Sequence, residues 1–125
     1  MEDRTNFLLK DGVISAPLGT FQNSQNWRGT NNPTIGHGAK LKASASNSPS
    51  WDGTNASGFT ALPAGHRISG GGGFNYLGSY GYFWSAAETI SPVLAWYRLL
   101  NTGNWQSSRN TIVKTFGFSV RCLQN

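Results

Sequence analysis

Two histidines, His37 and His66, one cysteine, Cys122, and five acidic side chains are the chain's main resources for acid–base, nucleophilic or metal chemistry. General acid–base catalysis needs paired titratable groups within hydrogen-bond reach. Glu2, Asp3, Asp11 and Asp52 all precede residue 53, which leaves Glu88 alone in the rest of the chain. Neither histidine has an Asp, Glu or Cys at ligand spacing beside it, and a zinc site requires three or four ligands. Calcium asks for several oxygen ligands, usually including carboxylates. The run Gly70 to Gly73 lacks the Lys-Ser/Thr ending of a phosphate loop, and a GxGxxG register through it fails at Tyr76. No GxSxG nucleophile elbow occurs. The sequence therefore predicts no catalytic residue, no metal site, no cofactor and no enzyme.

Binding chemistry is better represented. Tyr76, Tyr80, Tyr82, Tyr97 and Phe116 lie among Ser, Gly and Asn residues. Rigid amphipathic rings set among small adaptable polar groups are the composition of antibody-like binding surfaces. Equally, these rings suit the core of a Trp-rich β domain, and composition alone leaves both readings open.

Elements that would position such rings are short. The 125 residues suit one domain, with 16 Gly, 38% hydrophobic and only 12% charged residues, which argues for strands joined by irregular loops over long helices. TNFLLK (5–10) and VISAPL (13–18) flank Asp11-Gly12 as a hairpin would. Residues 19–58 read as loop, interrupted by AKLKA (39–43) as a short strand or one helical turn. GYFWSA (81–86), AWYRLL (95–100) and FGFSVRCL (116–123) predict three strands of a C-terminal antiparallel meander. In the last of them Phe116, Phe118, Val120 and Cys122 fall on one face. Trp84, Trp96, Phe118, Val120 and Cys122 are the predicted framework. The fold class expected is α+β, predominantly β with long irregular loops.

The net charge is +5, but the Arg and Lys residues stand singly, without the stripe expected of a nucleic-acid binder. No apolar run is long enough to span a membrane. The opening MEDRTNFLLK is no secretory signal. Asn55-Ala56-Ser57 matches a glycosylation sequon.

Four blocks in order, GFTALPAGHR (58–67), GSYGYFWSA (78–86), AWYR (95–98) and GFSVRCL (117–123), resemble the major paralogous domain family first named from Fibrobacter succinogenes. The closest likeness is to members that serve as variable proteins of diversity-generating retroelements in phages and gut bacteria. The resemblance covers roughly residues 38–125 and implies a C-type lectin-like fold; residues 1–37 lie outside it and are read as an N-terminal hairpin and extension. It implies a ligand-binding or adhesion domain without catalysis, displayed on a virion or bacterial surface and binding a protein or glycan receptor, with no nucleic acid and no membrane insertion. It leaves room for a homo-oligomer, a trimer by family analogy. Enzymes that generate formylglycine share the fold, but that chemistry relies on active-site cysteines and Cys122 is alone. A nucleic-acid-binding domain is the remaining alternative. The acidic calcium- and sugar-binding motifs of true C-type lectins are missing.

Such retroelements randomise adenines in template Asn codons, so Met, Trp, Lys, Gln and Glu cannot be produced. Between Thr89 and Phe116 only Trp96, Trp105, Gln106 and Lys114 are of these types. The resemblance and the loop aromatics together assign ligand binding to Tyr76, Tyr80, Tyr82, Ile90, Val93, Leu94, Tyr97, Leu99, Asn101, Thr102, Asn104, Ser108, Asn110, Thr111, Ile112, Val113, Thr115 and Phe116. The polar mixture NTGNWQSSRNTIVKTF (101–116) is then a selected surface and has no need of a period.

Overall fold

The structure, a computed structural model, describes residues 27–123. The hairpin expected over 5–18 lies outside them. Seven elements follow one another: β1 (Trp27–Arg28), α1 (His37–Leu41), β2 (His66–Arg67), β3 (Phe74–Asn75), β4 (Tyr80–Glu88), β5 (Leu94–Asn101) and β6 (Ser107–Val113). The protein is thus predominantly antiparallel β with little helix, as expected. The main sheet has the order β1-β6-β5-β4, and β2 and β3 form a separate hairpin whose connection holds the glycine run.

The meander is present, but its third strand is not the one expected. β6 is built from the patternless polar stretch and pairs with β5 from Leu94↔Val113 to Leu99↔Ser108. Its inward side chains are polar, which hid it from a search for alternating apolar residues. Ser107 and Arg109 are buried, and the Arg109 guanidinium lies 4.2 Å from the Trp96 ring centroid. An arginine whose charge rests on an indole face fills a core position as an apolar side chain would.

The FGFSVRCL stretch, by contrast, makes only single bridges, Arg67↔Gly117 and Phe83↔Ser119. Phe116 and Phe118 pack against other rings, but beyond Ser119 the buried parity switches. Leu123 packs on the core, while Val120 is 74% exposed and Cys122 is exposed. Val120 and Cys122 are therefore not framework residues, a correction to the sequence reading. Cys122 is accordingly expected to react with a maleimide in the folded protein about as fast as in the unfolded chain. Protection of the thiol by an order of magnitude would return it to the interior.

The core lies between the sheet and the 41–61 segment. Leu41, Ala43, Trp51, Phe59 and Ala61 meet Phe83 of β4 and Leu100 of β5, with Phe59 and Phe83 edge to face at 5.5 Å. Each large side chain so buried contributes roughly 1.5–3 kcal/mol. AKLKA is both of the things expected: α1 ends at Leu41, and Lys42 then bridges Ala61. At five residues α1 has no capping side chain, and close packing holds it. A Cβ on Gly36 would stand 2.1 Å from the Trp105 carbonyl oxygen, and one on Gly38 2.4 Å from that of Gln106.

Lys42 fastens this layer to the turn between β5 and β6. Its side chain is fully buried; Nζ donates to the carbonyls of Asn101 and Asn104, both at 2.9 Å, and pairs with Asp52 at 2.7 Å. Asp52 also accepts the Gly103 N–H at 2.8 Å, and Trp51 Nε1 donates to the Thr102 hydroxyl at 2.8 Å. Burial pulls the Lys42 pKa below the usual lysine range, while Asp52 opposes the shift. Nearby, Asn55 of the sequon is occupied structurally: its Oδ1 accepts the Thr60 N–H at 2.8 Å and its Nδ2 donates to the Thr60 hydroxyl at 2.9 Å. These bonds hold Thr60 at φ 56, costly for a β-branched residue.

Candidate recognition surface

Paired residues of an antiparallel ladder point to the same side. The registers Tyr80↔Asn101, Tyr82↔Leu99 and Trp84↔Tyr97, continued by Leu99↔Ser108, Tyr97↔Asn110 and Ala95↔Ile112, therefore define one face of the sheet. It is the face opposite Phe83 and Leu100. Three further segments lean rings onto it: His66 from β2, Tyr76 after β3, and Phe116 and Phe118 from the C-terminal stretch.

The rings form one continuous set. Tyr76 meets Tyr80 at 4.5 Å and Tyr80 stacks on Tyr82 at 5.9 Å. Phe118 then meets Tyr82 and Tyr97, both at 4.9 Å, and Trp84 at 4.4 Å. His66 stands edge to face with Tyr76, Tyr82 and Phe116 at 4.5–5.7 Å. Burial holds its imidazole below the usual histidine pKa, and so neutral over a wider range of pH. Tyr82 is pushed up to about 12, first by burial and then by the phenols of Tyr97, Tyr76 and Tyr80. Tyr97 is raised by burial, less a hydrogen bond with Asn110.

The Tyr82 shift has a consequence in alkali. Unfolded tyrosine titrates near 10, so the folded state holds this proton over a range where the unfolded state has lost it. Stability contributed by neutral Tyr82 should decline as pH rises from about 10 to about 12, read as a falling denaturation midpoint. A midpoint unchanged across that window would mean that Tyr82 is solvated.

Exposure separates the predicted residues into groups. Tyr82, Tyr97 and Ser108 are buried at 8%, 9% and 6%, so they support the face without reaching a ligand. Tyr80, Leu99, Asn101, Asn110, Ile112 and Phe116 are half-buried on or beside it, and Tyr76 is 51% exposed. Tyr76 is presented from a left-handed backbone, φ 64, a strain of the kind that gathers at functional sites. Leu94, Thr111 and Val113 face the other way, on the side of Trp96. Ile90, at 106%, and Val93, at 60%, extend from the β4–β5 turn. Thr102 and Asn104 belong to the turn that Lys42 and Trp51 fasten, and Thr115 bonds the Ser69 hydroxyl. The predicted set thus divides among one face, the two turns at its ends, and the opposite side of the sheet, where Leu94, Thr111 and Val113 lie.

His66 and the ring-bridging position of Phe118 are the members that sequence reasoning missed; the block PAGHR carried the only signal for His66. Among the described residues no three His, Cys, Asp or Glu side chains gather as a metal site would need, and no helix is long and apolar enough to cross a membrane. The described second half presents exposed Arg67, Lys114 and Arg121.

A small β domain with an aromatic face framed by irregular loops is the class that this geometry defines. The family model of the Fibrobacter succinogenes major domain matches residues 16–124, and the chain belongs to that family. Comparison with curated proteins and with solved structures finds no match.

Proposed function

We propose that this chain is a non-enzymatic recognition domain on a C-type lectin-like scaffold, a variable protein of a diversity-generating retroelement that binds a protein or glycan receptor from a virion or bacterial surface. The observation that carries the reading is where the types excluded by adenine randomisation fall. Trp96 stacks under Arg109 on the core side of β5. The Trp105 ring lies 5.8 Å from the Lys42 ammonium, and Gln106 Nε2 donates to the Gly29 carbonyl at 2.8 Å. Three of the four excluded residues are therefore structural, and the fourth, Lys114, is exposed. Permitted types, Leu99, Asn101, Asn110 and Ile112, occupy the aromatic face. Rings already packed against one another lose little freedom on binding, which favours affinity, and a few of them supply most of the energy.

Replacing Tyr76, Leu99, Asn110 and Ile112 together by Ser tests this. Leu99, Asn110 and Ile112, partly exposed and away from the core, should cost about 0.5 kcal/mol or less apiece and Tyr76 about 1 kcal/mol through its ring contacts, so circular dichroism should report a folded protein. Binding to a panel of bacterial cells, followed by flow cytometry against wild type, should disappear. An unfolded variant would show that the face is core, and a folded variant that binds as wild type would place recognition elsewhere. In the flanking DNA, a near-identical repeat differing only at adenines is expected.

A further inference from the structure

We infer that His66 is an acid-operated keystone of the aromatic face, holding Tyr76 and Phe116 against the sheet while its imidazole is neutral and releasing them when it gains a proton. Four rings surround it. Tyr76, from the segment after β3, stands at 5.5 Å, Tyr82 of β4 at 4.5 Å, and Phe116 and Phe118 at 5.7 and 6.0 Å. Two of these depend on it more than the others. Among the described residues Tyr76 otherwise meets only the ring of Tyr80, and Phe116 only that of Phe118, whereas Tyr82 and Phe118 are also held by Tyr97. Tyr76 and Phe116 are open to solvent in part, so the rings that His66 steadies are ones a ligand could reach.

The Nδ1 atom of His66 is buried and has no hydrogen-bond partner. A neutral imidazole carries one donor and one acceptor, an imidazolium two donors. A bare Nδ1 therefore places the single proton of the neutral ring on Nε2. A second proton would have to sit at Nδ1 as a charged donor among rings, with no oxygen to take it, which is the costlier kind of unsatisfied group. Ring faces attract cations, but burial disfavours the charged form and holds the pKa below the ordinary 6.5.

Nothing beside the ring would retain the second proton. β4 presents Tyr82 to it, the segment after β3 Tyr76, and the C-terminal stretch Phe116 and Phe118, so phenols are the only titratable groups in ring contact. Arg67, next along β2, is an exposed cation. Of the two acids among the described residues, Asp52 is engaged by Lys42. Glu88 lies at the far end of β4 from Tyr82, roughly 20 Å away at the rise of a strand. Unfolded histidine titrates near 6.5 and His66 in the fold lower, so the stability that its neutral form contributes is complete above about 6.5 and is lost as pH falls through the folded pKa. Main-chain bonds keep β2 in place meanwhile: the Gly65 N–H donates to the Tyr80 carbonyl at 2.7 Å, and Arg67 and Gly117 exchange N–H to carbonyl bonds at 2.9 Å. The change is thereby confined to side chains. The device belongs to the face itself and holds whether or not a receptor binds there.

NMR on the full chain, labelled in its histidine and aromatic side chains, tests this between about pH 8 and about pH 5. His66→Phe, which cannot titrate, identifies the His66 signals by their loss. Near pH 8 the His66 proton should sit on Nε2, and the ring should titrate with a midpoint below 6.5. Overhauser contacts from His66 to the Tyr76 and Phe116 rings should fade in step with that titration, while those between Phe59 and Phe83 persist. In His66→Phe the Tyr76 and Phe116 ring signals should not respond to pH over the range. A proton on Nδ1 near pH 8, a midpoint at or above 6.5, or contacts to Tyr76 and Phe116 that survive the titration would overturn the proposal. So would the same acid response in His66→Phe. The wild-type titration decides the matter by itself should the variant not fold.

Discussion

Lys42→Met is expected to destabilise the protein by about 2–4 kcal/mol, because two part-buried main-chain carbonyls lose their donor, at roughly 1–3 kcal/mol each, while the partly exposed Asp52 turns to water. Methionine fills much of the same volume, so the loss isolates polar contacts from packing. Two main-chain carbonyls, of Asn101 and Asn104, and the Asp52 carboxylate lose their donor together. A domain of this size has about 5–15 kcal/mol of stability in total, so the variant should unfold at a much lower denaturant concentration. Asp52→Asn should cost distinctly less, since Lys42 keeps both carbonyls and the asparagine oxygen can still accept the Gly103 N–H. A midpoint for Lys42→Met within about 1 kcal/mol of wild type would show that water replaces the ammonium in the folded state.

The second large effect concerns the two sides of β4. Phe83→Ala should cost about 3–5 kcal/mol, the range for large aromatic truncations in a core. Its ring meets Phe59 on the buried side, and its backbone bridges Ser119. Tyr80→Ala, three positions earlier on the aromatic face, should cost about 1–2 kcal/mol, from its ring contacts with Tyr76 and Tyr82. Equal losses in chemical denaturation would contradict the assignment of faces.

What could be read from the sequence follows from which forces leave a pattern in residue order. Strands β4 and β5 were visible because each holds a short run dense in aromatic and aliphatic residues, the mark of a strand covered on both faces. β6 was invisible because its core side is filled by Arg109 and Ser107, and the partner that makes an arginine acceptable there, Trp96, is contributed by another strand. FGFSVRCL misled for the converse reason: its alternation is real as far as Phe118, but a strand also needs a neighbour along its length, and this segment bridges β4 only at Phe83. The buried role of Lys42 could not be seen either, since its partners, Asp52 and the carbonyls of Asn101 and Asn104, meet it only after folding. For the candidate site, the aromatic positions and the tract carrying the face were legible. Which of them remain open was not, because Tyr82 and Tyr97 are covered by rings from His66 and Phe118, which come from other parts of the chain.

The ammonium of Lys42 grips carbonyl oxygens of the main chain, and Asp52 holds a main-chain N–H. Such atoms are common to every amino acid. Side chains at 101 and 104 can therefore be exchanged while the clasp beneath them keeps all of its contacts. The clasp is therefore indifferent to the side chains at 101 and 104, and rests on residue type at Thr102, whose hydroxyl takes the Trp51 indole N–H.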